Sequence, residues 1–232
     1  MSMDDPIIVE LKERVTAAQQ EYDLAIAFHE VWKPSAYDKG LHHRLGVSYA
    51  TQAFRVVRTA LRREMLLALM RLWDENPKAI RMQWIARNLQ NPKILDALAL
   101  DRASRHGFRD DVSMMRDDLA ERADEAVRLI RKYMQGGVSN VVFGKLQSLR
   151  HERLAHRQVT KASPNGDEAT DEEIEGFYRD NSKLIEILLN VVNGIAYEPE
   201  DTANIFGFYA AEYWKRFGLL NRTNKQQDVH GG

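Results

Sequence analysis

The chain has 232 residues, of which 44% are hydrophobic and 29% are charged, and its formal net charge is -1 at pH 7. This length and composition suit one soluble domain with a sizeable core, or a domain with a subdomain. The nearly balanced charge excludes a globally basic nucleic-acid-binding protein, so any affinity for nucleic acid has to come from a local patch. The absence of cysteine excludes disulfide bonds, thiol catalysis and thiolate metal sites.

Neither a secretion signal nor a membrane span is evident in the sequence. The segment from Met1 to Pro6 carries acidic residues and lacks the basic start of a signal peptide. The longest strongly apolar stretch, from Met65 to Met70, is far too short to cross a bilayer. We therefore expect a cytoplasmic protein with no membrane partner.

Apolar residues recur every three or four positions over residues 6–32, which is the spacing of an amphipathic helix. Asp5 is a suitable N-terminal cap for this helix, because its side chain can accept a backbone N–H. Pro34 predicts that the helix ends there, since proline disrupts helical hydrogen bonding. Residues 35–47 are therefore expected to form a loop.

The centre of the chain predicts two more long helices with a less regular segment between them. The second helix is expected from a cap at Ser48 to about residue 76, and the third over residues 111–134. Two short helical stretches between them predict a short-helix insertion at about 78–106. Apolar residues in this insertion are spaced to pack it onto the other helices.

The last third of the chain contains a predicted loop between helices. Residues 159–170 have loop composition and are expected to be mobile. Thr170 and Glu173 match the capping box that starts a helix. A final helix, rich in aromatic residues, is expected over residues 201–217.

The pattern as a whole predicts an all-α protein. No segment shows convincing strand spacing, and no internal repeat is present. We predict a single domain over residues 1–217, built as a bundle of four to five long helices with the short-helix insertion. Residues 218–232 are expected to form a disordered tail.

One segment places charged and titratable residues on a helix whose inner face is otherwise apolar. Arg150 lies between Leu146 and Leu154, where helical spacing would put a core residue. A permanently charged guanidinium in that position has to be paired or to face a cleft. His156 changes charge near neutral pH, so the segment combines a phosphate-binding cation with a proton carrier. This combination suits chemistry on a phosphodiester.

Arg150, the polar residue His151 and His156 resemble the motif of the HEPN superfamily (higher eukaryotes and prokaryotes nucleotide-binding), an arginine and a histidine separated by four to six residues. The segment 71–75, Arg-Leu-Trp-Asp-Glu, is similar to the abortive-infection U-type (AbiU-like) branch of that superfamily. The likeness extends roughly over residues 6–195 and implies a HEPN-like helical fold.

The resemblance implies a metal-independent endoribonuclease of a defence or toxin-type system, acting as a homodimer whose two motifs face one another. It implies that the RNA 2′-hydroxyl attacks the neighbouring phosphate, leaving a 2′,3′-cyclic phosphate and a 5′-hydroxyl. His156 would then act as general base or acid, and Arg150 would stabilise charge on the phosphorane. His151 would orient the phosphate or His156. No cofactor is implied, and the toxin-type setting leaves room for an antitoxin or another regulatory partner.

Arg150 and His156 do not point the same way along one straight helix. Six residues rotate the two side chains by about 120° and offset them by roughly 9 Å. Convergence on one phosphate therefore needs either an arginine side chain that swings back or a second protomer. This geometry favours the homodimer that the resemblance implies.

Two other interpretations of the segment stay open. A non-catalytic module of the same fold would bind RNA or nucleotide without cutting it. A structural bundle would use Arg150 in an internal ion pair with an acidic residue from another helix, for instance Asp74 or Glu75. In that case His156 would be a capping or core histidine, held by Glu152 one turn earlier.

Local charge supports an RNA substrate. From Lys145 to Lys161 there are five lysine or arginine residues and one acidic residue, Glu152. Lys145, Arg153 and Arg157 are accordingly predicted to contact RNA phosphates.

Two further features point away from additional catalytic chemistry. His42 and His43 lie in the predicted loop, and no acidic cluster near them completes a metal site, so no metal is predicted. The aromatic residues of the final helix are interpreted as an interaction surface, which packs on the bundle or forms a dimer contact.

Overall fold

The computed structural model describes residues 5–46, 50–106, 112–150 and 169–216. Within these ranges the chain forms helices and no β-strand, which confirms the predicted all-α fold. The helices are α1 (Pro6–Tyr37), α2 (Lys39–Leu45), α3 (Ala50–Arg71), α4 (Met82–Leu89), α5 (Pro92–His106), α6 (Val112–Tyr133), α7 (Asn140–Leu149), α8 (Asp171–Leu188) and α9 (Pro199–Lys215), with a π-helical turn at Leu189–Asn193. Five of these helices have 17 residues or more, as predicted for the long helices. None of the described helices is both long enough and apolar enough to cross a bilayer.

The prediction that the first helix ends at Pro34 is wrong, because α1 continues to Tyr37 with the proline inside it. Proline removes its own N–H from the helical ladder, but local contacts hold the last turn in place. The hydroxyl of the buried Ser35 donates to the carbonyl oxygen of Trp32 at 2.5 Å. The rings of Trp32 and Tyr37 also meet edge to face. Packing of this turn therefore outweighs the local effect of proline.

The prediction of a loop over residues 35–47 is also wrong, because this segment contains α2. The Asp38 side chain caps α2 by accepting the backbone N–H groups of Gly40 and Leu41 at 2.7 and 3.1 Å. Gly46 ends the helix in a backbone conformation with φ of +52°, which glycine adopts easily. Burial of Leu41 anchors the short helix.

The chain divides into two compact units. The first unit comprises residues 1–22 and 67–198, and the second comprises residues 23–66 and 199–232. Helices α1 and α3 each contribute residues to both units. Each unit is therefore assembled from segments that are distant in the sequence.

The core of the first unit is centred on α6. Helices α4, α5, α7 and α8 all pack against it. A buried aromatic cluster, with ring centroids 4.9 to 6.2 Å apart, joins the end of α3 to α6, α7 and α8, and it consists of Trp73, Tyr133, Phe143 and Phe177. The cluster fixes the chain just after α3, where the candidate site begins.

The second unit has a smaller core, formed by α2, α3 and α9. Its buried residues are Leu41, Leu45, Phe54, Ala210 and Trp214. The Trp214 indole N–H donates to the carbonyl oxygen of Val31 at 2.8 Å, and its ring lies 5.6 Å from that of Phe54. One side of α9 is thereby fixed within this unit.

Candidate active site

Arg150 directly follows α7 and continues its helical backbone, with φ of -61° and ψ of -49°. Its Nη2 group donates to the Oδ2 atom of Asp74 at 2.8 Å, so the two side chains form an ion pair. These side chains are 26% and 31% exposed. The pair therefore lies at the border between core and solvent, where a charged ligand can reach the guanidinium.

Asp74 is held by contacts of the residues around it. Arg71, the last residue of α3, pairs with Glu21 of α1 at 2.8 Å between Nε and Oε2. Trp73 is buried, and its indole N–H donates to the Oδ1 atom of Asn181 at 2.9 Å. These contacts fix the backbone from which the Asp74 carboxylate reaches the guanidinium.

The two acidic residues considered as partners of Arg150 have different contacts. Asp74 pairs with Arg150, whereas Glu75 accepts a hydrogen bond from the side-chain amide of Gln83. The hydrogen bond from Arg150 lowers the pKa of Asp74, and the backbone N–H of Asn76 lowers it further, while burial opposes both effects. Asp74 is therefore a carboxylate at neutral pH.

Asp74 also lines an open cleft of about 690 Å³ within the first unit. Acidic and basic side chains share its walls, among them Glu10, Glu13, Arg14, Glu21, Arg71 and Lys78. Arg14 belongs to the frame of the cleft, because its guanidinium donates to the backbone carbonyl oxygens of Pro77, at 2.7 Å, and Ala79. The carboxylate of the ion pair thus lines a cleft of mixed charge rather than a purely basic groove.

Lys145, which was predicted to contact RNA phosphates, lies in α7 and pairs with Glu173 of α8. Its Nζ atom is 2.9 and 3.2 Å from the two carboxylate oxygens. This contact, followed by a hydrogen bond from the backbone N–H of Thr170, lowers the pKa of Glu173. Lys145 therefore links α7 to α8, and a phosphate has to compete with Glu173 for its ammonium group.

The other predicted site residues, His151, Arg153, His156 and Arg157, lie outside the residues that the structure describes. Their roles stay predictions. Of the three predicted catalytic residues, Arg150 is the one within the described part of the chain. Sequence reasoning named Asp74 only as a structural partner and missed it as a residue that orients Arg150. Its position in the segment 71–75, which resembles the AbiU-like branch, could have indicated this role.

The predicted setting of His42 and His43 is corrected, since both lie in the last turn of α2. The Nε2 atom of His42 is 2.8 Å from the carbonyl oxygen of Ser35, and its ring packs edge to face on Phe54. His42 therefore has a structural role. Among the described residues, no group of three or more His, Cys, Asp or Glu side chains is placed to hold a metal ion.

One family model matches most of the chain, and the matched range contains the segment 71–75 and residue 150. A HEPN family model described as AbiU2 matches residues 8–217. The chain belongs to the HEPN AbiU2 family. This membership confirms the resemblance inferred from the sequence, and residues 150 and 156 lie within the matched range. No curated protein and no solved structure matches the chain.

Proposed function

We propose that this HEPN AbiU2 protein is a metal-independent endoribonuclease that acts in abortive infection. The family match over residues 8–217 carries the proposal, because it includes both Arg150 and His156. The family itself suggests a nuclease-like or abortive-infection role. The surroundings of Arg150 support the finer assignment, since its partly buried guanidinium is oriented by Asp74, a carboxylate that lines a cleft.

In the proposed reaction, the 2′-oxygen of RNA forms a bond to the adjacent phosphorus while the bond to the 5′-oxygen breaks. His156 takes the proton of the 2′-hydroxyl as general base or supplies a proton to the departing 5′-oxygen as general acid. Arg150 stabilises the negative charge of the phosphorane. His151 orients the phosphate or His156. The products are a 2′,3′-cyclic phosphate and a 5′-hydroxyl.

The ion pair leaves room for a phosphate on Arg150. A guanidinium has five N–H donors in a planar fork, and Asp74 accepts a hydrogen bond from Nη2. The described residues supply no other hydrogen-bond acceptor to this side chain. Arg150 is therefore able to bind a phosphate oxygen through its remaining donors while Asp74 keeps the guanidinium in place.

The proposed enzyme works as a homodimer. The sequence predicts a helix from Arg150 to His156, and a straight helix would rotate the two side chains apart by about 120°. This expectation favours a site that takes the two residues from different copies. A two-fold axis would then create two equivalent sites. Arg153, Arg157 and Lys145 are proposed to contact the RNA backbone, and an antitoxin or another regulatory protein is a further proposed partner.

The test is cleavage of a mixed tRNA and mRNA pool by the purified protein in EDTA, with the product ends mapped. Wild type is expected to leave 2′,3′-cyclic phosphate ends, and His156→Ala is expected to abolish them with the helical content unchanged. His43→Ala is the matched control, because it removes an exposed histidine from α2. Equal cleavage by wild type and His156→Ala would exclude the proposed mechanism.

The ion pair of Arg150 with Asp74 also supports a second candidate, a structural bundle in which Arg150 contributes only to stability. Arg150→Ala separates the two candidates. The structural role predicts that Arg150→Ala lowers the free energy of unfolding and has no effect on RNA cleavage. The catalytic role predicts that the variant loses cleavage. Arg150→Lys keeps the charge but loses the planar arrangement of N–H donors. We therefore expect this variant to fold normally and to cleave RNA more slowly than wild type.

A further inference from the structure

One face of α9 is exposed and apolar although the helix is anchored on its other side. Ala210 and Trp214 are buried in the core of the second unit. On the outer side, Ile205 is 53% exposed, Phe208 is 65% exposed and Tyr209 is 57% exposed. Adjacent large apolar side chains with this exposure are typical of an interaction surface.

Charged residues border this apolar face at regular intervals. Asp201 precedes Phe208 by seven residues, and Lys215 follows it by seven residues. Seven residues correspond to about two helical turns and about 10.5 Å, so the three side chains share one side of the helix. Asp201 and Lys215 are exposed. These three residues therefore run from an acid through an aromatic ring to a base, with the exposed Glu212 between Phe208 and Lys215 on the same side.

We propose that α9 packs antiparallel against α9 of a second copy of this chain, with Phe208 on the two-fold axis. Reversal of the helix direction brings Asp201 opposite the partner's Lys215, and the same contact repeats on the other side of the axis. The two apolar centres, Ile205 with Phe208 and Tyr209, cover one another. The occupant of the face is thus identified by its charge complementarity to the face itself.

The charge pattern selects one direction. Parallel packing in register would bring Asp201 against the partner's Asp201 and Lys215 against the partner's Lys215, which places like charges together. Within one chain, Lys215 lies 3.6 Å from Glu212, and both side chains are largely exposed. Such a surface pair contributes little, so Lys215 can engage a partner without a large loss.

The inference takes from the proposed function only the expectation of a homodimer. Its test measures association in the absence of RNA, whereas the test of the proposed function measures product ends. Failure to associate through α9 would leave the cleavage mechanism open, and failure to cleave would leave the α9 interface open.

The first experiment is analytical ultracentrifugation of the full chain over a range of concentrations. Wild type is expected to dimerise, and Phe208→Glu is expected to raise the dissociation constant about 100-fold or more, because it puts two carboxylates at the centre of the interface. Val56→Glu is the matched control, since Val56 is an apolar residue of α3 with 69% exposure in the same unit. It is expected to dimerise like wild type. A monomeric wild type, or a Phe208→Glu variant that dimerises equally well, would overturn the proposal.

The second experiment exchanges the charges. Asp201→Lys and Lys215→Asp are each expected to raise the dissociation constant about 5- to 30-fold, because each places like charges at two symmetric contacts. The double variant restores opposite charges across an antiparallel interface and is expected to dimerise like wild type. An equimolar mixture of the two single variants is likewise expected to form heterodimers.

The double variant decides the direction of packing. In a parallel interface the single variants and the double variant would all keep like charges together, so neither the loss nor the recovery would be seen. A double variant as weak as either single variant would therefore overturn the antiparallel arrangement. The Lys215→Asp change beside Glu212 is common to the Lys215→Asp variant and the double variant, so the contact within one chain cancels when these two are compared.

Discussion

A single carboxylate sets the resting state of the candidate catalytic arginine. Asp74 accepts one N–H of Arg150 and balances its charge at the edge of the core. Removing one partner of a partly buried ion pair leaves the other charge without compensation, which costs more than the pair itself contributes. Asp74 is therefore a positioning residue, and its loss is expected to affect stability as well as cleavage.

Asp74→Asn is expected to lower the free energy of unfolding by about 0.5–1.5 kcal/mol at neutral pH. The folded state lowers the pKa of Asp74, so the stabilising effect is present above the ordinary aspartate pKa. This effect is lost as the pH falls through the lowered value. The difference between wild type and variant should therefore shrink below about pH 4, as followed by urea unfolding at several pH values.

The control for this prediction is Asp124→Asn, which changes an exposed aspartate of α6. It is expected to change stability by less than about 0.5 kcal/mol throughout the same pH range. A pH-independent difference between wild type and Asp74→Asn would show that the ion pair does not stabilise the fold through its charge.

The need for a partner of Arg150 could be predicted, but the choice of partner could not. A permanent charge on an inner helical face has to be compensated by an acidic residue, for instance Asp74 or Glu75. Helical spacing could not distinguish the two, because α3 ends at Arg71 and the direction of the following residues depends on tertiary contacts. Burial of Trp73 against Asn181 supplies that information.

At the scale of helices, the start of α8 combines a local motif with a tertiary contact. The Thr170 hydroxyl accepts the backbone N–H of Glu173 at 3.2 Å, and the Glu173 carboxylate accepts the backbone N–H of Thr170 at 2.8 Å. The same carboxylate pairs with Lys145 of α7. Glu173 thus caps one helix and ties it to another.

Two substitutions separate these contributions. Thr170→Ala removes the hydroxyl that accepts at the helix start and is expected to cost about 1 kcal/mol of unfolding free energy. Glu173→Gln keeps an acceptor suited to the capping box but removes the charge that faces Lys145, and it should cost less than Thr170→Ala. Thr170→Ser, as a control, should unfold like wild type in thermal and urea denaturation. A Thr170→Ser variant as unstable as Thr170→Ala would contradict the assigned cap.

Structure could be predicted from sequence motifs whose contacts lie within four residues, but not where tertiary packing decides the outcome. The capping box at Thr170 was predicted correctly because its hydrogen bonds join residues three positions apart. Pro34 was interpreted from its local effect alone, and the buried surroundings of Ser35 reverse the outcome. Helix α2 was missed although Asp38 offers a local cap, because glycine and histidine in this segment suggested a loop.

At the scale of the molecule, the all-α class and the long helices could be predicted, whereas the division into two units had no clear signal. Apolar spacing continues along α1 and α3 past residues 22 and 66, where the units divide. Periodicity reports that a face is buried but not which partner covers it. The buried partners in each unit come from segments far apart in the sequence.

Mixing two inactive variants tests whether the proposed site is shared between subunits. In a site that takes Arg150 from one copy and His156 from the other, a heterodimer of Arg150→Ala with His156→Ala contains one intact site. Random pairing makes half of the dimers heterodimers, so the mixture should recover about a quarter of wild-type cleavage. A site built within one chain would give no recovery. Mixing Arg150→Ala with fresh Arg150→Ala provides the baseline for the cleavage assay.

The outer face of α9 presents Asp201, Phe208 and Lys215 in equal steps of seven residues. Read in the opposite direction, the order keeps its aromatic centre and exchanges the acid for the base, so the face is its own complement. In the proposed dimer, each substitution therefore changes a side chain at two symmetric contacts. A change of the acid or the base would multiply the association constant by the same factor twice, so the proposed dimer would be unusually sensitive to single mutations.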